Sequence, residues 1–401
     1  MQWLTVERLT GLEAARARQL VNGPVESERL IAHPSRVEIN LDAVASNARL
    51  IRARVGGGVS IMAVVKANAY GHGAPAVARA ALQNGCDRLA VANMAEALEL
   101  RECGIAAPIL ILSYFPAEAI PIAIDLNLSL SVFDEVYAER CISAARGAGA
   151  ELKIQLKIDT GMGRLGILPQ SAAAVCGSLW DAAGIKLEGI YTHFATADDD
   201  PRYMREQLKT FNLILSRIRE AGIQVEQIHA ANSAAVLNCP GSHVNVVRPG
   251  LMLYGLEPMP DSGIGDIVRP AMSWKTQVAQ VKTLPPGSRV GYGDAYRTRG
   301  EETIAVVPVG YADGLRRTPS TWREVLIHGR RAPLAGRVSM EKITVNVSRI
   351  PGVKAGDEVV LLGKQGDDRI SADEVAGWIR SNNYEVVASV APRVPRTYFS
   401  S

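Results

Sequence analysis

Short apolar runs alternate with longer helical patterns between about residues 60 and 255. Each run has the length and the β-branched content of a buried strand, and alanine- and leucine-rich stretches separate most of them. Glycines such as Gly85, Gly104 and Gly222 end these stretches, as is typical of helix C-caps. The eight runs are IMAVVK (61–66), RLAVAN (88–93), PILILS (108–113), LSLSVF (128–133), LKIQLKID (152–159), LEGIYTHF (187–194), QIHAAN (227–232) and NVVRPG (245–250).

Eight strand–helix units in series predict an α/β fold in which parallel strands close into a (β/α)8 TIM-type barrel. An open, doubly wound sheet is the alternative. Such a sheet normally carries a GxGxxG phosphate-binding turn after its first strand, and that turn is absent here.

The pattern changes after residue 271 to short strand-like runs separated by turn residues, which predicts a C-terminal, mostly-β domain with one helix near 372–380. The predicted division is an N-terminal extension (1–35), the barrel (36–270) and the β domain (271–401). Residues 36–42 form a further strand before the barrel, and residues 4–21 have the pattern of an amphipathic helix. The strand-like runs are TQVAQVKTL, ETIAVVPVGYADG, EVLIHG, KITVNV, EVVLLG and EVVASV.

Composition narrows the class of protein. With 47% hydrophobic and 21% charged residues, the 401-residue chain is an ordinary globular protein, and its net charge of +3 argues against a nucleic-acid partner. The five cysteines form no CxxC pair, which favours reduced thiols over disulfides or zinc. Charged residues interrupt the first 20 positions and no stretch is long enough to span a membrane. We therefore expect a cytoplasmic protein.

Polar residues cluster at the carboxyl ends of the predicted strands, which is the face where barrel enzymes build their active sites. Singly, each has a structural explanation: Lys66 as a lysine reaching solvent from a strand end, His193 as a core histidine, Arg248 as an ion-pair partner. Together they indicate a site. The candidates are Lys66 after the first strand, Asp159 to Arg164 after the fifth, His193 in the sixth, Asn232 and Ser233 after the seventh, and Arg248 to Gly250 after the eighth.

These residues suit a phosphorylated cofactor. The Ser233 hydroxyl and the backbone around Gly250 and Leu251 follow strands seven and eight, where barrels commonly bind phosphate, and Tyr70 adds a phenolic donor. A buried Lys66 has a lowered pKa and can bind an aldehyde covalently. No cluster has metal-ligand spacing, so no metal is expected.

Nine segments in the same order resemble the alanine racemases, pyridoxal-phosphate enzymes with a barrel and a β domain. The resemblance implies pyridoxal 5'-phosphate as cofactor, a small amino acid as substrate, and a homodimer with active sites shared across the interface. It also implies that residues 36–42 join the β domain. The segments are VVKANAYGHG (64–73), KIDTGMGRLG (157–166), YTHFATAD (191–198), ANSAA (231–235), VRPGLMLYG (247–255), VGYGDAY (290–296), VPVGYADG (307–314), APLAGRVSM (332–340) and PRVPR (392–396).

The resemblance assigns roles by position. Lys66 binds the cofactor and is the base on the D side, and Tyr292 of the partner chain is the base on the L side. Arg248 faces the pyridine nitrogen, and His193 links Arg248 towards Tyr292. The remaining cofactor-binding residues are Tyr70, Ser233, Gly250 and Leu251 at the phosphate, with Arg164, Asn232 and Tyr254; the substrate-binding residues are Arg164 and Met340 of the partner chain.

The chain departs from the family pattern at three points. Ser339-Met340-Glu341 replaces the usual Cys-Met-Asp and would alter the partner-chain wall of the pocket. Pro392 stands where many relatives carry a tyrosine that touches phosphate. The loop after Gly314 is shorter, which makes Arg316 the expected match for an arginine beside Tyr311. In many relatives the lysine that matches Lys157 is carbamylated and steadies Arg164.

The predicted activity is the interconversion of L- and D-alanine, which supplies D-alanine for peptidoglycan precursors. A broader amino-acid racemase is an alternative because of Ser339 and Glu341. A related decarboxylase is another, although those enzymes lack VGYGDAY (290–296). A non-catalytic cofactor carrier is the third, although such carriers consist of the barrel alone.

Overall fold

The computed structural model describes residues 33–259, 263–265 and 267–400, so the predicted helix over 4–21 lies outside the described residues. Each of the eight apolar runs contains a strand, and the strands are close in position to the predicted ones. They are β2 (Ser60–Val64), β3 (Arg88–Val91), β4 (Ile109–Ile111), β5 (Ser129–Val132), β6 (Leu152–Lys157), β7 (Ile185–Tyr191), β8 (Gln227–His229) and β9 (Val246–Val247); β1 (Arg36–Asn40) precedes them.

Strands β2 to β9 pair in parallel in chain order and close into a barrel. The closing pair is β2 with β9, in which Ser60 is opposite Val246. The predicted (β/α)8 barrel is therefore confirmed, and the open doubly wound sheet was the wrong alternative.

Helices surround the barrel and begin at polar residues that cap them. Asn93, Asp134 and Asp200 each accept a hydrogen bond from a backbone N–H in the first turn of the helix that follows. The helices of this layer are Leu41–Val55, Ala74–Gln83, Met94–Glu102, Ile120–Asp125, Glu135–Ala148, Ala172–Trp180, Pro201–Glu220 and Ser233–Asn238.

The C-terminal region contains nine strands: β10 (Met272–Gln277), β11 (Gln280–Leu284), β12 (Glu302–Val307), β13 (Glu324–Ile327), β14 (Arg330–Pro333), β15 (Ile343–Asn346), β16 (Glu358–Gln365), β17 (Asp368–Ile370) and β18 (Arg396–Phe399). One sheet has the order β14-β13-β16-β10-β1-β18, with β17 on β16, and a second has the order β11-β12-β15. Within the first sheet, β1 pairs antiparallel with β10 and parallel with β18. The segment before the barrel is thus a strand of the C-terminal sheet.

The helix predicted near 372–380 is present as Ala372–Ile379, but the predicted strand EVVASV is wrong. Its first four residues, 385–388, fall in a second helix, Asn383–Ala388. Asn382 caps this helix by accepting a hydrogen bond from the Glu385 backbone, and Val386 and Val387 are buried. Capping and packing therefore override the β propensity of the valines. Within the described part of the chain, no helix has the length and apolarity that crossing a membrane requires.

Candidate active site

A cavity of about 490 Å³ lies at the carboxyl ends of the barrel strands. Lys157, on strand β6, and Tyr191, on strand β7, both line this cavity. The predicted site residues that line it are Lys66, Tyr70, Arg164, His193, Asn232, Ser233, Arg248, Gly250 and Leu251. The structure therefore brings together nine of the twelve predicted site residues in one chain.

Lys66 begins a short left-handed turn, Lys66–Tyr70, directly after β2. Ala67, Asn68, Ala69 and Tyr70 all have φ between 51° and 53°, a conformation that non-glycine residues rarely adopt. A side-chain contact holds the turn in place, because the Glu96 carboxylate accepts a 2.6 Å hydrogen bond from the Ala67 N–H. Such strain persists only where surrounding contacts fix it, and it commonly occurs at functional sites.

The C-terminal region packs directly on this turn. A Cβ atom at Gly71 would lie 2.5 Å from the Val387 carbonyl oxygen, and one at Gly73 would overlap the Tyr398 hydroxyl. Both glycines also have positive φ. Glycine is therefore required at the two positions for steric and conformational reasons.

Two lysines in the cavity have lowered pKa values. Burial lowers the pKa of Lys66, the positive charge of Arg164 lowers it further, and Glu96 opposes both. Burial lowers the pKa of Lys157 to about 8, with a further lowering from neighbouring cations, chiefly Arg164. Both amines are thus more readily neutral than an exposed lysine, so both can act as nucleophiles or proton acceptors.

A group of hydroxyl and backbone donors lies at the ends of β8 and β9. The Ser233 hydroxyl accepts hydrogen bonds from the N–H groups of Gly250, at 2.9 Å, and Met252, at 3.3 Å. Burial raises the pKa of Tyr70 to about 12, so its hydroxyl remains a donor. Asn232 caps the following helix through its side chain, which accepts from the Ala235 N–H.

Arg248 is buried and held by four acceptors. Its Nη1 donates to His229 Nδ1 at 2.7 Å, and its Nη2 donates to the Thr192 and Ala230 carbonyls and to His193 Nδ1, the last at 3.2 Å. Burial lowers the pKa of Arg248 to about 10, which leaves it protonated at neutral pH. Burial and the charge of Arg248 also lower the pKa values of His193 and His229 well below the usual range, so both are neutral acceptors.

Asp159 shapes the loop that presents Arg164. Its two carboxylate oxygens accept hydrogen bonds from the four successive N–H groups of residues 161–164. Burial alone would raise the pKa of Asp159, but these backbone donors lower it. The carboxylate therefore stays ionised and fixes the loop, which leaves the Arg164 side chain exposed beside the cavity.

Three predicted site residues lie apart from this cavity. Tyr254 is fully buried, donates its hydroxyl to the Val64 carbonyl at 2.7 Å and packs against Tyr70, so it supports a lining residue instead of lining the cavity. Tyr292 and Met340 are 64% and 55% exposed and do not line the cavity of their own chain.

Tyr292 and Met340 belong to a surface that includes Tyr311. The Tyr311 N–H donates to the Ser339 carbonyl, which ties the two loops together. The guanidinium carbon of Arg317 lies 6.0 Å from the ring centre of Tyr292 and 5.9 Å from that of Tyr311. The prediction that Arg316 takes this place is therefore wrong.

Arg316 is held elsewhere because its guanidinium pairs with Glu385 at 3.3 Å and donates to the Ile379 carbonyl. The Arg316 side chain is therefore bound to both C-terminal helices.

Sequence reasoning missed two residues. His229 is the last residue of strand β8 and contacts Arg248. Because His229 follows Gln227 by two residues, both side chains lie on the same face of the strand, which could have placed His229 inside the barrel. Tyr384 lines the cavity, whereas Pro392 does not, so a tyrosine hydroxyl is available there after all. Tyr384 was missed because EVVASV, which follows it directly, was interpreted as a strand. Among the described residues, no group of three or more histidine, cysteine or carboxylate side chains forms a metal site.

Comparisons with known proteins agree with this geometry. Models of the N-terminal and C-terminal domains of alanine racemase match residues 39–258 and 271–398. An alanine racemase from Desulforamulus reducens is 44% identical, covering 91% of this chain and 99% of that protein. Alanine racemase 2 from Caldanaerobacter subterraneus is 42% identical over 91% and 95% of the two chains.

Solved structures of alanine racemases are also similar to this chain. The alanine racemase of Streptomyces lavendulae superimposes with a TM-score of 0.88 at 38% identity, over 92% of this chain and 97% of that one. The alanine racemase of Bacillus anthracis with bound L-Ala-P gives a TM-score of 0.86 at 40% identity, over 92% and 96%. This chain belongs to the alanine racemase family.

Proposed function

We propose that this protein interconverts L- and D-alanine with pyridoxal 5'-phosphate, in a site completed by a second copy of the chain. The observation that carries the proposal is the composition of one cavity. It combines the half-buried amine of Lys66, the hydroxyls of Tyr70 and Ser233 and the cation of Arg248. Family membership supports the same activity.

The donor set fits the cofactor. Tyr70, Ser233, Gly250 and Leu251 would hold its phosphate, Lys66 would hold its aldehyde carbon, and Arg248 would face its ring nitrogen. The Tyr70 hydroxyl lies close to Gly250, where a side chain would fill the space, so hydroxyl and backbone donors can converge on one anion. When bound, the cofactor supplies an electron sink that weakens the Cα–H bond of an attached amino acid.

Lys66 and Arg248 would have separate roles: Lys66 would transfer a proton, and Arg248 would only donate hydrogen bonds. Its lowered pKa makes Lys66 more readily neutral than an exposed lysine, and the neutral amine could accept a proton from Cα and return it. Arg248, with a pKa of about 10, donates hydrogen bonds at neutral pH but keeps its proton. By keeping its proton, Arg248 would leave the ring nitrogen unprotonated and so favour return of the proton to Cα over transamination.

Inversion at Cα needs a second base on the opposite face, and we assign this role to Tyr292 of a partner chain. Tyr292 is exposed and does not line the cavity of its own chain, as a residue supplied to another chain should be. Met340 would reach the same partner site, because hydrogen bonds join its loop to the loop of Tyr311. Arg164 would bind the substrate carboxylate as a cation.

Lys157 would carry a carbamate. Its pKa of about 8 leaves part of the amine neutral near neutral pH, as reaction with carbon dioxide requires. The resulting anion would offset the positive charges of Arg164 and Arg248, which line the same cavity. The domain division at about residue 270 and a cytoplasmic location stay predictions from the sequence.

The test is a racemisation assay over a panel of L-amino acids with added pyridoxal 5'-phosphate. We expect alanine to be the best substrate; comparable turnover of larger amino acids would favour the broader racemase suggested by Ser339 and Glu341. Lys66→Ala should abolish the covalent adduct that borohydride fixes, whereas Lys157→Met should retain it. Absence of racemisation of every amino acid by protein that binds the cofactor would contradict the proposal.

A further inference from the structure

Three polar side chains continue from Arg248 into the interior of the barrel. Gln155, Gln227 and His229 are 1%, 2% and 0% exposed and lie on β6 and β8. Tyr191, which stacks on His229, belongs to an apolar cluster that includes Met62 and Leu110. Because buried polar groups are stable only when they are hydrogen-bonded, this row requires a connected set of partners.

The direction of every hydrogen bond in the row follows from Arg248. A guanidinium has donors and no acceptor, so His229 Nδ1 must accept the 2.7 Å bond from Arg248. A neutral His229 then carries its proton on Nε2 and donates to Gln155 Oε1 at 2.7 Å. This orients the Gln155 amide.

The row continues from Gln155 to the opposite end of the barrel. Gln155 Nε2 donates to Gln227 Oε1 at 3.0 Å. Gln227 Nε2 has no partner within the described residues, and Gln227 lines a hollow of about 450 Å³ at the amino ends of the strands. Gln227 Nε2 is itself buried, so the row ends in a donor that has no partner among the described residues.

We propose that Gln155 and Gln227 are positioning residues that hold His229 in its Nε2–H tautomer and thereby fix Arg248 in the active site. The proposal rests on the assignment of Arg248 to the cofactor ring. If His229 carried its proton on Nδ1, two N–H groups would face each other and Arg248 would turn away.

The surroundings of His229 also oppose a second proton. The ring is stacked on Tyr191, with centroids 4.7 Å apart and planes at 5°. The charges that act on it are those of Arg248 and Arg88. Burial and both arginines lower the pKa of His229. A protonated His229 would be a donor at both nitrogens and would lose its bond from Arg248.

The first experiment needs no catalysis. The chain has six histidines, so a protein labelled with ¹⁵N-histidine gives few imidazole signals, and His229→Gln identifies the signal of His229. We expect a neutral Nε2–H imidazole at neutral pH, since Arg248 can only donate and Nδ1 must therefore accept. An Nδ1–H or protonated ring at neutral pH would overturn the proposal while leaving the proposed racemase activity intact.

The second experiment compares two variants of Gln155. Gln155→Met removes the acceptor for His229 and should lower kcat about tenfold, as expected for one hydrogen bond, with KM little changed. Gln155→Glu keeps an acceptor and should restore most of the activity at high pH. Its charge raises the pKa of His229, so activity should fall at a higher pH on the acid side than in the unmodified protein.

Ser129→Ala is the matched control. Ser129 is also buried on a barrel strand, but its hydroxyl donates to Glu188, outside the row. The control should leave the pH profile unchanged even if the protein is less stable. Equal profiles for Gln155→Glu and the unmodified protein, or full kcat in Gln155→Met, would count against the positioning role.

Discussion

The hydroxyl of Tyr70 lies 2.8 Å from the position that a Cβ atom would occupy at Gly250. The ring of Tyr70 packs on Tyr254, with ring centroids 4.9 Å apart, and the backbone of Tyr70 is fixed in the left-handed turn after Lys66. Gly250 is therefore restricted by a close approach and not by its own φ of −115°. An added methyl group at Gly250 would have to displace the Tyr70 hydroxyl.

Gly250→Ala should consequently weaken binding of pyridoxal 5'-phosphate. Displacing one hydroxyl from the phosphate should cost about 1 kcal/mol, or roughly five- to tenfold in affinity. Fluorescence titration of cofactor-free protein would measure the change. Gly241→Ala is the control, because a Cβ at Gly241 meets nothing within 4 Å. Equal affinities for the two variants would show that Tyr70 and Gly250 do not form the phosphate site.

Mixing two inactive variants tests the shared active site. Lys66→Ala inactivates the chain that holds the cofactor, and Tyr292→Phe removes the base that the same chain would supply to its partner. Random exchange of subunits makes about half of the dimers mixed, and each mixed dimer contains one intact site. We expect recovery of about one quarter of the original activity, measured after native mass spectrometry has shown exchange. No recovery from demonstrated mixed dimers would contradict a site built from two chains.

Regular alternation and helix spacing predicted the barrel, because eight strand–helix units leave few ways to bury their apolar faces. The position of Lys66 after the first strand was predictable for the same reason. The left-handed turn that follows was not, because alanine and asparagine prefer other conformations locally and only contacts such as that of Glu96 fix it. Arg317 was missed because the sequence gives the length of a loop but not its path.

Stability should fall in acid because of His72, which lies beside the left-handed turn. Its Nδ1–H donates to the Ala69 and Tyr70 carbonyls at 3.0 Å, and its Nε2 has no partner within the described residues. Burial lowers the pKa of His72 from 6.5 to about 4. Between these values the unfolded chain binds a proton that the folded chain does not, so the free energy of unfolding decreases as the pH falls from 6.5 to 4.

His72→Asn should reduce this dependence. The substitution removes the titrating group, so over the same range the slope of the unfolding free energy should decrease by up to about 1.4 kcal/mol per pH unit. Urea unfolding followed by circular dichroism at several pH values would measure the slopes. Above pH 7, the unmodified protein and His72→Asn should differ in their free energies of unfolding, but these should have the same dependence on pH. An unchanged slope in acid would mean that His72 is not a buried neutral group.

The carbamate that we propose on Lys157 would make the modification depend on carbon dioxide. Protein equilibrated with ¹³C-bicarbonate should give a carbamate carbonyl signal by ¹³C NMR, and Lys157→Met should remove it. The neighbouring Lys66 provides the control, because Lys66→Ala should retain the signal although it also removes a lysine from the cavity. Persistence of the signal in Lys157→Met would assign the modification to another residue.

Tyr292→Phe should affect the two enantiomers of alanine unequally. Inversion requires two bases on opposite faces of Cα, and Lys66 and the partner's Tyr292 are proposed for the D and L sides. Removing the phenolic hydroxyl should abolish exchange of the α-proton of L-alanine with solvent, while exchange from D-alanine, which uses Lys66, should continue. Loss of deuterium from Cα-labelled L- and D-alanine, followed by NMR, measures the two rates separately.

The result can be interpreted only if the variant still binds cofactor and assembles. Tyr311→Phe is a suitable control, because Tyr311 shares the exposed surface and the neighbouring Arg317 with Tyr292 but is not assigned as a base. It should slow exchange from both enantiomers to a similar extent, if at all. Equal loss of exchange from both enantiomers in Tyr292→Phe, with cofactor binding and dimerisation intact, would contradict the two-base assignment. Lys66 would then have to serve both faces, and the exposed position of Tyr292 would need another explanation.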